Sequence, residues 1–596
     1  MRYKFIILIF FVFWGIMVSR LYHISIKSNY YYEELAKENI ERKRFIKPVR
    51  GEITDVNGNL LAMNQIGFSI SIAPHLTSKK RKKELDSVIG KLIETFPDLN
   101  RSVMTKVYKK HDSLYNHKYI KVVDFIHYSD MMGAYPKLSL LDSVKIEAET
   151  KRYYPYGRFS AHIVGYTGRS NRKENKADAV VNKVGKVGKS GLERYYNKVL
   201  QGDLGFEISK VTATNKAVEL LQKEPPKDNK NIKLHIDIDL QKMIYRRFGN
   251  YTGVAIVMRT NGEILSAVSY PSYDPNLFVG GISIKNWKAL QDSLSHPFTN
   301  KFIHGTYPPG SVIKMGMALA FSKAVPGILD VPETCVGHIT LGASSHKFRC
   351  WSRWGHGKTG LRKAIRESCD VYFYNKSLKV GINSMAKYIR QFGLGVKTGV
   401  DLPREYNGVM PDKAWKMKRY NQPWYMGETV ISAIGQGYDL VTPLQVARYT
   451  ALIATSKLPT PHIAKEVDGK EVKAEIKQLH FNQVYLNSIR NGMYDVCNIK
   501  GGTAFKTMSK LPIVVAGKTG TSQVTSIPQS TKKRLKEEEL AYYHRSHAWI
   551  STYAPFDNPK FIVTVLVEHG GHGGSTAGPI VADIYKWLYR GGYFNK

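Results

Sequence analysis

The stretch Thr306-Tyr307-Pro308-Pro309-Gly310-Ser311-Val312-Ile313-Lys314 decides how this chain is read. Two prolines and a glycine lead into Ser311, and proline favours the first turn of a helix while breaking its interior. The apolar residues that follow, Val312, Ile313, Met315, Met317, Leu319 and Phe321, predict a buried helix. If the helix starts near Ser311, then Ser311 and Lys314 share one face, a turn apart, at its positive end. An amine within reach of a hydroxyl there can activate a serine nucleophile without a histidine. The spacing is not unique, because Ser344/Lys347 and Ser530/Lys533 repeat it. Its meaning depends on what lies downstream.

Ser368-Cys369-Asp370 precedes Val371-Tyr372-Phe373-Tyr374, an apolar run that would pack it down. Pro512-Ile513-Val514-Val515-Ala516-Gly517 reads as a buried strand and leads into Lys518-Thr519-Gly520-Thr521. Lys-Thr-Gly also begins at Lys358 and Lys397, but the first precedes Ser368 and the second lies in a turn. Order and context single out Lys518. A Ser-x-x-Lys, a second serine motif and a late Lys-Thr-Gly form the set used for acyl transfer by a serine. Three of the four cysteines lie between the first two motifs. Cys335, Cys350, His356 and Cys369 follow C-x14-C-x5-H-x12-C, which could close as a tetrahedral zinc site, with His338 or His346 as alternative histidine ligands. A disulfide, natural outside the cytoplasm, and inert buried thiols are the competing readings. Cys497 reads as core, and His235, His547, His569 and His572 as structural.

A chain of 596 residues holds several domains. The net charge of +39 brings nucleic acid to mind. The basic residues are spread along the whole chain with no recognition motif, so no nucleic-acid partner is expected. An anionic membrane surface or wall polymer accounts for the charge as well. Arg2 and Lys4 precede Phe5–Ser19, a run without charge, and no small-x-small cleavage site follows. This predicts an uncleaved single-pass anchor with the N-terminus inside and the bulk of the chain outside the cytoplasm. Residues 27–46 read as a juxtamembrane helix. Asn57-Gly58 and Asn261-Gly262, each between alternating apolar residues, predict hairpins. Residues 77–150 lean helical, and the run Lys79–Lys83 reads as a solvated helix face. Leu234–Ile238 alternates like a strand, Gln222–Asn231 reads as a linker, and Lys532–Glu539 as an exposed helical insertion. The expected division is 1–26 for the cytoplasmic tip and transmembrane anchor, 27–230 for a pedestal or dimerisation domain with a head insertion around 77–150, and 231–596 for the catalytic domain.

With these motifs the chain resembles the class B penicillin-binding proteins, the monofunctional peptidoglycan transpeptidases. Arg50-Gly51 through Ala62, Arg152 through Gly168, and Gly191-Leu192-Glu193 resemble the family's pedestal motifs. Ser269 through Asn276, Gly435-Gln436-Gly437 with Thr442-Pro443-Leu444-Gln445, and His547-Ala548-Trp549 resemble its transpeptidase domain. Arg353-Trp354-Gly355-His356-Gly357 and Asp370 are similar to the elongation-type branch; the division-type branch would carry asparagine at 370. The resemblance implies a multidomain fold. It has an N-terminal transmembrane helix and an elongated α+β pedestal with a helical head. Its C-terminal α/β domain, like that of serine β-lactamases, is an antiparallel sheet flanked by helices.

The resemblance also implies roles. Ser311 would attack the carbonyl between the terminal D-alanines of a stem peptide. Lys314, held neutral by a cationic surrounding that includes Lys518, would take its proton. Ser368 would relay that proton, the N–H groups of Ser311 and Thr521 would form the oxyanion hole, and Thr519 and Thr521 would hold the terminal carboxylate. Gly520 would leave the strand edge open for the peptide, and Asp370 can accept but not donate a hydrogen bond. Some elongation-type members hold a metal from positions like those of the cysteine cluster, so a structural zinc is expected, with no cofactor in the chemistry itself. The implied partners are peptidoglycan stem peptides, β-lactams as inhibitors, a SEDS-family (RodA-type) glycosyltransferase and other elongation-machinery proteins at the inner membrane. A septal transpeptidase and a D,D-carboxypeptidase on the same fold are the alternatives.

Overall fold

Alternating apolar residues on either side of Asn261-Gly262 fold back as β1 (Thr252–Arg259) and β2 (Ile264–Tyr270), with Gly262 at φ +102°. The computed structural model describes residues 2–27, 34, 40–78, 80–212, 217–227, 229–342, 346–525 and 537–595, grouped in two units. In the larger unit this hairpin joins β3 (Ala516–Ser522), β4 (His547–Ala554) and β5 (Phe561–Glu568) in an antiparallel sheet of order β2-β1-β5-β4-β3. All eight residues of β4 are buried, so both faces of the sheet are covered. Strand periodicity sorts them. Ala548 and Ile550 face a core in which Val257, Val563 and Val565 meet Ile244, Ile580, Ile584 and Tyr585 of two flanking helices. Ser551 points the other way. It joins Thr450 and Thr564 in a buried chain of hydroxyls, each link 2.7 Å.

The helices that carry the motifs are α1 (Lys314–Ala324), α2 (Asp370–Val380), α3 (Pro443–Thr455) and α4 (Gln483–Asn498). Every residue from Lys314 to Phe321 is buried, as the apolar run predicts. Here the helix begins with a 3-10 turn, Gly310–Ile313, before becoming α-helical at Lys314. The Pro512–Gly517 expectation is corrected: the strand starts only at Ala516, and Val514 is exposed. Leu234–Ile238 is also shorter than expected. The strand is Ile232–Leu234, and the Asp237 carboxylate then caps a helix by accepting from the N–H groups of Asp239 and Leu240.

The same unit contains Glu52–Arg169. Asn57-Gly58 turns the chain from Ile53-Thr54 into Leu60–Ile72, and Asp55 Oδ1 holds the turn by accepting from Asn57 and Asn59 N–H. The helical reading of 77–150 captures only part of the segment. Lys82–Thr95 and Arg101–His111 are helices, while Ile120–His127 and Val144–Tyr153 pair with the long strand Leu60–Ile72. The helices bury Leu85, Ile89 and Tyr108 against Ile70, Ile72 and Val123. Lys80–Lys83 are exposed, as a solvated face requires, and Lys79 lies outside the described residues. Two of the distant pedestal motifs meet: Arg152 Nε donates to Glu193 Oε1 at 2.7 Å in a buried pair, and Tyr154 O–H donates to the same oxygen.

In the smaller unit, Arg2–Tyr22 is one helix. Among the described residues Tyr3–Lys27 is the one helix long and apolar enough to cross a membrane. The juxtamembrane helix expected over 27–46 lies partly outside the described residues, and its end is corrected: Glu41–Ile46 is a strand paired with Gly205–Val211. Cross-strand charge matching favours that register, with Glu41 opposite Lys210 and Arg44 opposite Glu207. Gly205–Val211 also pairs with Ala217–Glu224, so Gln222–Glu224 is strand rather than linker. Residues 532–536 of the expected insertion are outside the described residues, and Glu537–Glu539 form a 3-10 turn.

Candidate active site

The 3-10 turn at the start of α1 decides where Ser311 and Lys314 stand. In a 3-10 turn residues three apart eclipse, so the two side chains project from the same side. The turn is held by main chain. Gly310 N–H donates to the Gly435 carbonyl at 2.8 Å, and both glycines lie in the left-handed region, at φ +55° and +72°. A Cβ on Gly435 would come within 2.5 Å of the Gly310 oxygen, and one on Gly310 within 2.8 Å of Ser522 Oγ. Only glycine fits at either place. The Pro308 carbonyl accepts from Ser522 Oγ at 2.6 Å and from the Trp549 indole at 3.1 Å, which fastens the turn to β3 and β4. Tyr449 of α3 supports it from behind, with its hydroxyl donating to the Ile313 carbonyl and accepting from Gly316 N–H.

Lys314 is fully buried, and its Nζ has three acceptors. It donates to Asp370 Oδ1 at 2.7 Å, to the Ser368 carbonyl at 2.9 Å and to Ser368 Oγ at 3.3 Å. Three acceptors match the three hydrogens of an ammonium. Ser368 presents both its oxygens from a left-handed backbone, φ +55°, a conformation costly for serine. The structure thus brings Lys314, Ser368 and Asp370 together, as the motif order implies, but it changes one expectation. Lys314 faces a carboxylate rather than a purely cationic surrounding. Burial first and Lys314 second push the Lys518 amine well below its ordinary range, and its Nζ donates to the Thr519 carbonyl at 3.0 Å. Burial raises the Asp370 carboxyl, with Lys314 opposing.

Lys518, Thr519, Gly520 and Thr521 all lie on β3, opposite Ser551, Ile550, Trp549 and Ala548 of β4. β3 ends its sheet, so its far edge has no strand partner among the described residues. Thr519 Oγ1 meets Thr503 Oγ1 at 2.5 Å, and the Thr521 carbonyl accepts from Gln436 Nε2 at 3.3 Å. Gly520 sits beneath the nucleophile turn, where a Cβ would lie 3.1 Å from the Pro309 oxygen. A carbonyl held between Ser311 and this edge would meet a hydroxyl, a lysine amine and strand N–H groups, the parts needed for acyl transfer.

The cysteine cluster is assembled beside this site. Ligand atoms of Cys335, Cys350, His356 and Cys369 all lie within 4.8 Å of one another, and the group includes neither His338 nor His346. His356 Nδ1 is 3.5 Å from Cys335 Sγ and 3.6 Å from Cys350 Sγ. Tetrahedral zinc, with bonds of about 2.3 Å to sulfur and about 2.05 Å to nitrogen, requires S···N edges of about 3.6 Å. The donor set fits the ion. Hydrogen bonds, from Cys369 first and including the Asp370 N–H at 3.4 Å, favour the Cys350 sulfur as thiolate. Cys497 lies apart, on the core-facing side of α4. Two links from this loop carry no sequence signature. Trp351 N–H donates to Asp370 Oδ2 at 2.9 Å, and the Trp351 indole donates to the Glu367 carbonyl at 2.9 Å.

Comparison with known proteins identifies the family. Residues 252–586 match the penicillin binding protein transpeptidase domain, and residues 45–234 the penicillin-binding protein dimerisation domain. The peptidoglycan D,D-transpeptidase MrdA of Haemophilus influenzae is 34% identical, over 96% of this chain and 88% of that one. MrdA of Escherichia coli K12 is 31% identical, over 96% and 91%. Among solved structures, penicillin-binding protein 2 of Helicobacter pylori, in complex with MreC, is 41% identical over 93% of this chain and 100% of that one, with a TM-score of 0.84.

Proposed function

The chain belongs to the penicillin-binding protein transpeptidases of the elongation type, and from that premise we propose how its residues cross-link peptidoglycan. It is a serine-type peptidoglycan D,D-transpeptidase. The observation that carries the mechanism is the convergence of Lys314 Nζ on Ser368 and Asp370 at the foot of the Ser311 turn. An ammonium cannot act as a base, so its proton must first move. The Asp370 carboxyl, raised by burial, narrows the gap to the neutral pair in which Lys314 is a free amine. Ser311 Oγ then attacks the carbonyl between the two terminal D-alanines, and its proton passes to Lys314. The N–H groups of Ser311 and Thr521 receive the oxyanion. Ser368 relays the proton to the departing D-alanine nitrogen as the C–N bond breaks. The hydroxyls of Thr519 and Thr521 hold the substrate carboxylate, and the peptide lies along the free edge of β3 past Gly520. An amine from a neighbouring stem attacks the ester, frees Ser311 and closes the cross-link.

The cysteine cluster is assigned a structural zinc held by Cys335, Cys350, His356 and Cys369. When bound, the ion neutralises thiolate charge and braces the Ser368-Cys369-Asp370 turn, and no step of acyl transfer passes through it. The helix Arg2–Tyr22 is assigned as a single-pass anchor in the inner membrane, N-terminus inside, with the remaining chain periplasmic. The partners that follow are elongation-machinery proteins, MreC among them, and a RodA-type glycosyltransferase.

The test is covalent labelling by penicillin, read by intact mass. Wild type should hold one long-lived adduct, and Ser311→Ala none. Equal labelling of the variant would overturn the assignment, and rapid loss of the adduct would favour a hydrolase.

A further inference from the structure

Three residues that share no motif meet at the turn of the β1–β2 hairpin. His235 follows the strand Ile232–Leu234, Glu263 follows Gly262 at the turn, and His462 comes from a segment about two hundred residues later. Main-chain bonds draw them together. His235 N–H donates to the Ile463 carbonyl at 2.8 Å, His462 N–H to the Gly262 carbonyl at 3.0 Å, and Ile264 N–H to the His462 carbonyl at 3.0 Å. One ligand atom of each residue lies within 4.8 Å of those of the other two.

No hydrogen bond joins the three side chains to one another among the described contacts. His235 Nδ1 and Glu263 Oε2 are 3.8 Å apart, beyond hydrogen-bond reach, and the two imidazole rings stand nearly perpendicular at 5.0 Å. His462 Nδ1 lies 3.2 Å from the Thr460 carbonyl, which can only accept; the proton therefore sits on Nδ1 and leaves the lone pair on Nε2. Such a fixed tautomer is what outer-sphere hydrogen bonds impose on metal-bound histidines. The carboxylate is also oriented. Asn261 Nδ2 donates to Oε1 at 2.9 Å, and Arg259 Nε lies 3.3 Å from Oε2. His462 is buried, and His235 and Glu263 are half-buried.

We propose that His235, Glu263 and His462 form a second metal site, for a divalent transition ion such as zinc, separate from the cysteine cluster. Two imidazoles and one carboxylate suit a borderline ion, with solvent completing the shell. Bound there, the ion ties the strand end at His235, the β1–β2 turn and the segment entering Ala464–Val467 into one cross-link. The cations Arg259 and Lys465 beside it make it weaker than the thiolate cluster, so a chelator empties it first. None of its ligands touches Ser311, Lys314, Ser368 or Lys518, so it acts on stability and not on acylation.

The test is a cobalt(II) titration of untagged full-length protein in detergent after metal stripping. Thiolate-to-cobalt charge transfer reports the cysteine cluster, and nitrogen and oxygen ligands give only weak d–d bands. Wild type should take a second equivalent that adds no charge-transfer absorption. The double variant His235→Ala/His462→Ala should lose that equivalent while keeping the charge-transfer band and wild-type penicillin labelling. Absence of a sulfur-free equivalent in wild type, or its persistence in the double variant, overturns the proposal. If the double variant fails to fold, Glu263→Gln takes its place and should weaken the second equivalent at least tenfold; unchanged affinity overturns it. A cysteine cluster that takes no cobalt would refute the zinc assignment above and leave this readout intact.

Discussion

Asp370 is the residue on which the site's proton balance turns. One carboxylate oxygen meets Lys314 Nζ and the other accepts from Trp351 N–H. Asparagine could satisfy one of these but not both, because its amide nitrogen would face a donor. Loss of a charge-assisted hydrogen bond costs about 1.5–3 kcal/mol. Asp370→Asn should therefore slow acylation by penicillin about ten- to a hundredfold, measured as a second-order rate; an unchanged rate would remove Asp370 from the relay. The motif residues were legible because their spacing is local: Lys314 follows Ser311 by three positions, and Asp370 follows Ser368 by two. The carboxylate partner of Lys314 was not. Which amine meets a carboxylate depends on where α2 begins relative to α1, and no spacing in the chain encodes that. Nor could the sequence point to the Pro308 carbonyl or the Trp351 N–H, since a main-chain group carries no side-chain signature.

At the scale of elements, α2 is the piece that joins metal and mechanism. It starts at Asp370, directly after Cys369, and the loop carrying Cys350 donates Trp351 N–H to that first residue. Withdrawing the cluster should loosen the start of α2 and with it the acceptors of Lys314. Cys369→Ser is expected to lose both zinc, measured by elemental analysis, and penicillin labelling. Zinc-free protein that labels normally would separate the cluster from the relay. Elements set by local turns were readable in advance, as at Asn57-Gly58 and Asn261-Gly262. Elements set by remote partners were not. Glu41–Ile46 has the polar composition of a surface helix, and only the pairing with Gly205–Val211 makes it a strand. The same holds for Ile120–His127 and Val144–Tyr153, which become strands by pairing with Leu60–Ile72.

For the whole molecule, acid stability should reflect a buried imidazole that is not among the catalytic residues. His162 Nε2–H donates to the Pro297 carbonyl at 3.0 Å, and burial pushes the ring down to about 3 from 6.5. The folded protein holds it neutral while the unfolded chain protonates below pH 6.5, so the unfolded state binds the extra proton. Stability is unaffected by this group above pH 6.5 and falls as pH drops towards 3, by at most about 1.4 kcal/mol per pH unit. His162→Gln, whose amide can donate to the same carbonyl, should flatten that limb in urea denaturation at pH 7 and pH 5; an equal decline in both proteins would exclude His162 as a cause. The contact between Gly310 and Gly435 has a consequence of another kind. Any side chain at either position would meet the left-handed backbone and a close neighbour, Ser522 Oγ at one and the Gly310 main chain at the other, so substitution there costs the enzyme its nucleophile turn. A change of drug fit is therefore expected from side chains around the turn, such as Gln436, and not from its two glycines.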